Sequence, residues 1–269
     1  MKNKIVWITG ASSGIGEALV YAFNALGAKL IISSRNRDEL FRVKSNCKAQ
    51  IDVHVLSLDL EDSASLPAKA ADALRIFGKI DILINSGGIS QRGLALETDL
   101  PTEQRLMDVN FWGTVILSKA VLPQMLANGS GSIVCVSSLV GKFGTRFRSA
   151  YAASKHALHG YFDSLRIEID NPNIQILLAC PGFIKTRVTL NALTANGSAQ
   201  GTMDSAQENG MLPEVCAKAI IKAIETKKEE VYIGGKETKR RALETFLPQI
   251  FLQNHPQGKS YLAKKNSIY

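Results

Sequence analysis

The chain has 269 residues, of which 45% are hydrophobic and 21% charged, a balance typical of a globular protein with a sizeable core. No apolar run reaches the roughly 18 residues that span a bilayer, and the N-terminal sequence MKNKIVWITG carries no signal-peptide pattern. The net charge is +8, but residues 236–269 hold seven basic and two acidic residues, so the remainder is close to neutral and a nucleic-acid partner is not expected.

Strand-like and helix-like segments alternate along the chain. Apolar, β-branched runs predict seven strands, at residues 4–10, 28–34, 51–60, 79–86, 131–138, 173–182 and 230–235. Helical spacing of apolar residues predicts the helices between them, at residues 14–27, 36–47, 63–78, 102–128, 149–169 and 213–226.

This alternation predicts an α/β fold, a single Rossmann-like doubly wound domain of about seven parallel strands with helices on both faces. We expect the domain to cover residues 1–235 and a basic helical extension to cover 236–269. Residues 183–212 carry no clear periodicity. A loop of that length in a compact domain is usually functional, so this stretch is interpreted as a substrate lid.

A glycine-rich loop with the sequence TGASSGIG, residues 9–16, lies directly between the first strand and the first helix. Gly10 allows a tight exit from the strand, Gly14 lets the backbone approach a pyrophosphate, and Gly16 lets the helix pack close to the sheet. The helix N-terminus then offers free N–H groups to phosphate. This context predicts dinucleotide binding rather than a plain Gly/Ser turn.

The same letters also fit the G-x-S-x-G nucleophile elbow of serine hydrolases, with Ser12 as nucleophile and His255 following in a suitable order. Only nine residues precede Gly10, too few for the strands and oxyanion loop that an elbow requires. A serine hydrolase is therefore a remote alternative.

Tyr151 and Lys155 lie four residues apart in an Ala-rich helical segment and so share one helix face. Taken alone, such a pair is most often an ordinary lysine stem beside a half-buried tyrosine. Asn85 and Ser138, however, each follow a predicted strand, and the carboxyl ends of parallel strands meet at one edge of the sheet. Asn110 lies in the long fourth helix. Singly these residues are turn caps or satisfied polar groups, but together with the glycine loop they indicate a ligand site.

The chain resembles the short-chain dehydrogenase/reductase family over about residues 4–234, because it carries that family's set of motifs. The motifs are Thr9-Gly10-x-x-x-Gly14-x-Gly16, Asn110, Ser138, Tyr151-x-x-x-Lys155 and the sequence PGFIKT. The stretches NSGGISQRG, FRSAYAASKHA and NALTANGSAQGTMD are similar to the member-7 type (7B-like) branch. One departure is Asn85-Ser86-Gly87-Gly88, where the family usually has Asn-Asn-Ala-Gly; we expect a looser turn there.

The resemblance implies an oxidoreductase that moves a hydride between nicotinamide and a carbonyl or secondary alcohol. Tyr151 would exchange the proton, its phenol made more acidic by the ammonium of Lys155. Ser138 would hold the substrate oxygen, and Asn110 would hold a water that links Lys155 to solvent through a local helix distortion. A catalytically degenerate protein that only binds or senses the cofactor is the main alternative.

The expected cofactor is NADP(H). NAD-preferring sites place an acid at the end of the second strand, whereas here Ser34 stands there and Arg35 follows, a pair suited to a 2′-phosphate. The other residues expected to contact the cofactor are Gly10, Ser12, Ser13, Gly14, Ile15, Gly16, Asp59, Leu60, Asn85, Gly87, Tyr151, Lys155, Pro181, Gly182, Ile184 and Thr186.

The four cysteines form no C-x-x-C pair, so we expect neither a metal site nor a disulfide, and a cytoplasmic protein. The resemblance implies a homodimer or homotetramer. In the tail, Leu243, Leu247, Ile250 and Phe251 have helical spacing, which predicts docking on the body or a sister subunit; peripheral membrane contact is the alternative. His156 and His159 are expected on the helix surface.

Overall fold

A computed structural model describes residues 1–235 and 237–238. The predicted basic extension at 236–269 therefore lies outside the described residues, apart from positions 237 and 238. The strands are β1 (Ile5–Thr9), β2 (Lys29–Ser33), β3 (Val53–Val55), β4 (Ile82–Asn85), β5 (Gln91–Arg92), β6 (Gly131–Val136), β7 (Ile174–Pro181), β8 (Leu193–Thr194) and β9 (Glu230–Ile233).

The α-helices are α1 (Gly14–Ala25), α2 (Arg37–Ser45), α3 (Leu66–Phe77), α4 (Leu100–Met107), α5 (Gly113–Ala127), α6 (Ser149–Ile169), α7 (Ser205–Glu208) and α8 (Pro213–Glu225). Short 3₁₀ turns cover Gln50–Asp52 and Leu139–Gly141, and a π-helical turn covers Asp108–Trp112. Among the described residues, none of these helices has both the length and the apolar character that crossing a bilayer demands.

Seven strands form one sheet, the main sheet, in the order β3-β2-β1-β4-β6-β7-β9, and every adjacent pair is parallel. The predicted doubly wound fold is therefore confirmed. Strand β1 lies between β2 and β4, so that Thr9 pairs with Ser33 on one side and Asn85 on the other. The strand order reverses at β1, and ligands bind in such sheets at this point, beyond the carboxyl ends of the strands.

The main sheet is buried on both faces, which explains why its strands read as continuous apolar runs. Side chains alternate across β1: Val6 and Ile8 pack in a core that includes residues of α1 and α8, whereas Ile5 and Trp7 pack in a second core that includes residues of α3, α5 and α6. Helices thus pack on both faces of the main sheet and hold its carboxyl edge in place.

Two predicted elements differ from the structure in detail. The helix predicted over 102–128 is interrupted by the π-helical turn between α4 and α5, where the Asn110 side chain bonds to backbone groups of another segment. The strand predicted over 51–60 is only Val53–Val55, because the chain beyond it leaves the sheet edge for the ligand-binding side.

Residues 183–212, hereafter the substrate segment, are more ordered than an irregular loop. The segment contains β8 and the short helix α7, and β8 pairs in parallel with β5 in a second, two-stranded sheet. Its two ends are joined by hydrogen bonds from Lys185 N to Met211 O (2.8 Å) and from Met211 N to Phe183 O (2.9 Å). The lid interpretation stays a prediction, but the segment has defined anchors.

Candidate active site

The glycine loop, residues 9–16, is shaped by close backbone contacts at the end of β1. The hydroxyl of Thr9 accepts hydrogen bonds from the N–H groups of Ser86 and Gly87, each at 3.2 Å. Gly10 has φ +64°, and a Cβ there would lie 2.6 Å from the Cα of Gly87. A Cβ on Gly16 would overlap the carbonyl oxygen of Gly10. The loop is thus a bare backbone cradle at the N-terminus of α1, a shape that fits a pyrophosphate.

The departure at Asn85-Ser86-Gly87-Gly88 produces a close contact instead of a loose turn. A Cβ added to Gly87 would overlap the Cδ1 methyl of Leu60, so the leucine side chain fills the volume that an alanine methyl would otherwise take. Leu60 itself lines the cleft described next.

A cleft of about 1440 Å³ runs along the carboxyl edge of the main sheet. It brings together all the predicted site residues except two. The predicted residues that line it are Gly10, Ser12, Ser13, Gly14, Ile15, Gly16, Ser34, Arg35, Asp59, Leu60, Gly87, Ser138, Tyr151, Lys155, Pro181, Gly182, Ile184 and Thr186.

Asn85 and Asn110 are the two predicted residues that do not line the cleft. Asn85 is buried, and its amide donates to the hydroxyl of Ser118 on α5 at 3.1 Å. The Asn85 side chain thus bonds to α5 instead of lining the cleft, and its contact with a cofactor stays a prediction. Asn110 is also buried, and its side chain hydrogen-bonds to two segments that form the cleft.

Asn110 lies in the π-helical turn, as the expected helix distortion required. Its side chain accepts from Ile89 N at 2.8 Å and donates to Ile89 O and to the hydroxyl of Ser154, both at 3.0 Å. These bonds tie the turn after β4 to helix α6, which carries the catalytic candidates. Asn110 thus joins two segments that both contribute residues to the cleft.

Ser138, Tyr151 and Lys155 meet in the cleft. Ser138 follows β6 and caps the Leu139–Gly141 turn, and its hydroxyl lies in the same cleft as the Tyr151 phenol and acts to lower the pKa of that phenol. Burial raises the pKa of Tyr151 above its usual value, while the Ser138 hydroxyl and the positive charges of Arg148 and Arg92 act to lower it. The phenol is therefore protonated at neutral pH and can donate a hydrogen bond or a proton.

Lys155 is buried one helical turn beyond Tyr151, with its Nζ 5.9 Å from the tyrosine ring centroid. The ammonium donates to the carbonyl oxygen of Val136 at 2.9 Å. Burial lowers the pKa of Lys155 to about 8, a change that Cys135 and Cys180 partly oppose. Lys155 thus carries a titratable positive charge beside the phenol.

The Ser34 and Arg35 pair lines the cleft and follows β2, which lies on the opposite side of β1 from β4 and β6. Ser34 donates to Asn36 O at 3.2 Å, and Arg35 lies 4.0 Å from Asp59 and 4.0 Å from Glu61. The Arg35 side chain is 52% exposed, so these ion pairs are long and well solvated. Its guanidinium can turn to an anionic group in the cleft at little cost.

Several functional candidates escaped sequence analysis. Buried Gln91 accepts from the N–H groups of Ala150 (2.9 Å) and Tyr151 (3.2 Å), and so caps the first turn of α6. Arg92 and Arg148 line the same part of the cleft. A two-residue strand has no detectable periodicity, so no signal in the sequence marked Gln91 or Arg92.

The prediction for His159 was wrong, because this histidine is buried rather than on the helix surface. Its Nε2 lies 3.0 Å from the hydroxyl of Ser137, and its Nδ1 lies 3.6 Å from Glu230. Burial and the charge of Lys142 lower the pKa of His159 to about 4, so the ring is neutral. With Cys180 it forms a cluster of metal-binding residue types, but the ammonium of Lys142, at 2.7 Å, already neutralises the Glu230 carboxylate.

Comparisons with known proteins show the family to which the chain is related. A sequence model described as short chain dehydrogenase matches residues 4–196. The chain is 45% identical to a dehydrogenase/reductase SDR family protein 7-like from Anopheles gambiae, over 87% of this chain and 76% of that protein. It is 37% identical to dehydrogenase/reductase SDR family member 7B from Bos taurus, over 94% of this chain and 80% of that protein. These matches confirm the resemblance stated from the motifs.

The fold also agrees with solved structures. A short chain dehydrogenase/reductase from Burkholderia phymatum, solved in complex with NAD, superposes with a TM-score of 0.83. The superposition covers 95% of this chain and 96% of that chain at 24% identity, which shows a shared architecture.

Proposed function

This chain belongs to the short-chain dehydrogenase/reductase family, and on that premise we propose that it transfers a hydride between NADP(H) and an apolar carbonyl compound or secondary alcohol. That it is an oxidoreductase acting on CH–OH or C=O groups follows from its family. The observation that carries the finer proposal is one continuous cleft, with the glycine loop and Arg35 in one part and Ser138 beside Tyr151 in the other.

Each residue has a defined task in this proposal. When bound, the nicotinamide supplies or accepts the hydride. Ser138 holds the substrate oxygen against the phenol of Tyr151. Tyr151 gives its proton to that oxygen during reduction and takes it back during oxidation. Lys155 lies next along the same helix face, where its ammonium would stabilise the phenolate and hold ribose hydroxyls.

The preference for NADP(H) over NAD(H) rests on the residues after β2. A carboxylate at position 34 would repel a 2′-phosphate, but the serine hydroxyl there does not. Arg35 adds a half-exposed guanidinium within the same cleft. Together they favour a phosphorylated ribose.

Replacing Arg35 with alanine should abolish most of this preference. A charge-assisted hydrogen bond contributes about 1.5–3 kcal/mol, so we expect NADPH affinity to fall by roughly ten- to a hundredfold, with NADH affinity nearly unchanged. Isothermal titration calorimetry with both cofactors measures this directly. Arg37→Ala is the matched control, because Arg37 is the next arginine but its guanidinium stacks on Phe41 (5.5 Å). Equal wild-type dissociation constants for NADPH and NADH would refute the interpretation of Ser34 and Arg35.

An apolar substrate is proposed from the wall of the cleft beyond Tyr151. Apolar side chains there come from both the substrate segment and the segment after β6: Val140, Phe143, Phe183, Val188 and Leu193. Arg92 and Arg148 also line the cleft, but they share the Asp204 carboxylate, so their net charge is +1 instead of +2. We therefore favour a largely apolar carbonyl compound over a highly charged one.

We propose that the substrate segment is a lid whose closure follows ligand binding. Hydrogen exchange should show residues 183–212 less protected than the main sheet in the free protein, and more protected with NADPH plus a substrate analogue. The pairs between β5 and β8 should respond with the rest of the segment. Protection equal to that of β1 and β4 without any ligand would identify the segment as a fixed structural insertion.

The homodimer or homotetramer and the cytoplasmic location rest on the sequence alone and stay predictions. The same holds for the choice between protein docking and membrane contact for the tail at 236–269.

A further inference from the structure

Two arginines share a single carboxylate beside the candidate proton donor. Arg92 donates through Nε to Asp204 Oδ2 at 3.0 Å and through a second nitrogen to the same oxygen. Arg148 donates to that oxygen at 3.3 Å. The side chains of Arg92, Arg148 and Asp204 are only 13%, 22% and 28% exposed. One carboxylate therefore compensates two partly buried guanidinium charges, and the cluster carries a net charge of +1.

The cluster is built around the first turn of α6, which carries Tyr151. Gln91, whose side chain caps the backbone of that turn, directly precedes Arg92. Arg148 lies three residues before Tyr151 and is tied to the same segment by the bridge from Gly93. Both guanidiniums and the phenol line one cleft. The cap, the bridge and the shared cleft thus place both guanidiniums at the first turn of α6, the turn that carries the phenol.

Other charged side chains also lie near this position. Lys155 is one helical turn beyond Tyr151 on α6, with its Nζ 5.9 Å from the ring centroid, and Arg146 and Arg187 line the same cleft. The positive charges of Arg148 and Arg92 lower the pKa of Tyr151 against the effect of its burial. Burial and the neighbouring Arg92 lower the pKa of Arg148, as expected for a cation that one shared carboxylate does not fully compensate.

We propose that Arg92 and Arg148 tune the readiness of Tyr151 to release its proton, and that Asp204 of the substrate segment sets the strength of their effect. This rests on the proposed role of Tyr151 as proton donor. An uncompensated positive charge favours phenolate, and a carboxylate beside it weakens that influence. Asp204 belongs to the substrate segment, whereas Arg92 and Arg148 belong to the segments after β4 and before α6. When the substrate segment contacts the rest of the domain, Asp204 pairs with Arg92 and Arg148 and weakens their positive potential at the phenol.

The test is a titration of the Tyr151 phenol by NMR in protein labelled with ¹³C at the tyrosine Cζ, with the signal assigned by its loss in Tyr151→Phe. Asp204→Asn removes the negative charge, so the midpoint should fall by about one pH unit. Arg148→Gln removes a positive charge, so the midpoint should rise by a similar amount. The double variant restores the net charge and should return close to the wild-type midpoint. Structural damage alone would not produce opposite shifts that cancel.

Two further variants serve as controls. Arg146→Gln removes an equal charge from the same cleft wall, where the guanidinium stacks on Phe147 (4.6 Å) instead of pairing with Asp204, and should shift the midpoint much less. Asp204→Glu keeps the charge and should leave the midpoint unchanged. If Asp204→Asn fails to fold, the comparison of Arg148→Gln with Arg146→Gln and Asp204→Glu still tests the proposal. The proposal is overturned if Asp204→Asn and Arg148→Gln shift the midpoint in the same direction, or no more than Arg146→Gln does.

The titration needs neither cofactor nor substrate, so its failure can be told apart from failure of the proposed function. If turnover depends on Tyr151 but the midpoints do not move, only the role of Arg92, Arg148 and Asp204 is wrong.

Discussion

Tyr151→Phe should reduce turnover by about 10²–10⁴-fold, the usual contribution of a general acid or base, while NADPH still binds. The substitution removes one oxygen atom and keeps the ring in its place on α6. Only the phenol can transfer the proton readily, because the aliphatic hydroxyl of Ser138 is a far weaker acid than a phenol. Turnover is measured by the loss of NADPH absorbance with a panel of apolar ketones and aldehydes, and binding is measured by calorimetry.

Tyr161→Phe is the matched control. Tyr161 lies on the same helix but packs edge-on against Phe111 and Phe162, with ring centroids 5.8 and 5.2 Å away, so its loss should leave turnover nearly unchanged. A near wild-type rate for Tyr151→Phe would disprove the mechanism. NADPH binding by the wild type without turnover of any carbonyl compound would favour the alternative of a cofactor-binding or sensing protein.

Gly16→Ala should cost the protein both cofactor affinity and stability. The added methyl would overlap the carbonyl oxygen of Gly10, a backbone atom that moves only if the whole glycine loop moves. Overpacking of this kind typically costs about 1–3 kcal/mol of unfolding free energy. Since the displaced loop no longer matches the pyrophosphate, we expect NADPH affinity to fall at least about tenfold. Urea unfolding and calorimetry measure the two effects.

Gly160→Ala provides the opposite control. Gly160 is exposed in the middle of α6, and a Cβ there meets no atom within 4 Å. Glycine inside a helix costs about 0.5–1 kcal/mol relative to alanine, so this variant should be more stable than the wild type and bind NADPH equally well. NADPH binding by Gly16→Ala at wild-type affinity would show that the glycine loop does not hold the cofactor.

The main sheet and most of the cleft could be predicted from sequence because both depend on local patterns. A strand buried on both faces is largely apolar, as β1 and β7 are, and a parallel sheet brings the residue after each strand to one edge. Ser138 and Gly87 reach the cleft for that reason. Asn85 also follows a strand, but at the last strand position its side chain turns to α5. The sequence pattern thus predicts at which edge of the sheet a residue lies, but not toward which face its side chain points.

Other features depend on contacts between distant segments, which no local pattern records. Arg92 meets Asp204 across 112 positions of the chain, and the strands β5 and β8 are two residues long. His159 is a different case, since a usable signal existed. It follows Lys155 by four residues as Lys155 follows Tyr151, so all three share the helix face that packs on the sheet.

The π-helical turn at Asp108–Trp112 rotates α5 about the helix axis relative to α4. A helix that widens by one residue per turn contains, in effect, one inserted residue, and each residue corresponds to about 100° of rotation. Deleting one residue there would restore a regular α-helix. It would also rotate α5, with its buried face, relative to α4, or else rotate Asn110 away from Ile89. A regular α-helix through this stretch and the hydrogen bonds of Asn110 to Ile89 therefore exclude each other. The chain keeps the less favourable backbone hydrogen bonding of the π-helical turn because the geometry of the cleft depends on it.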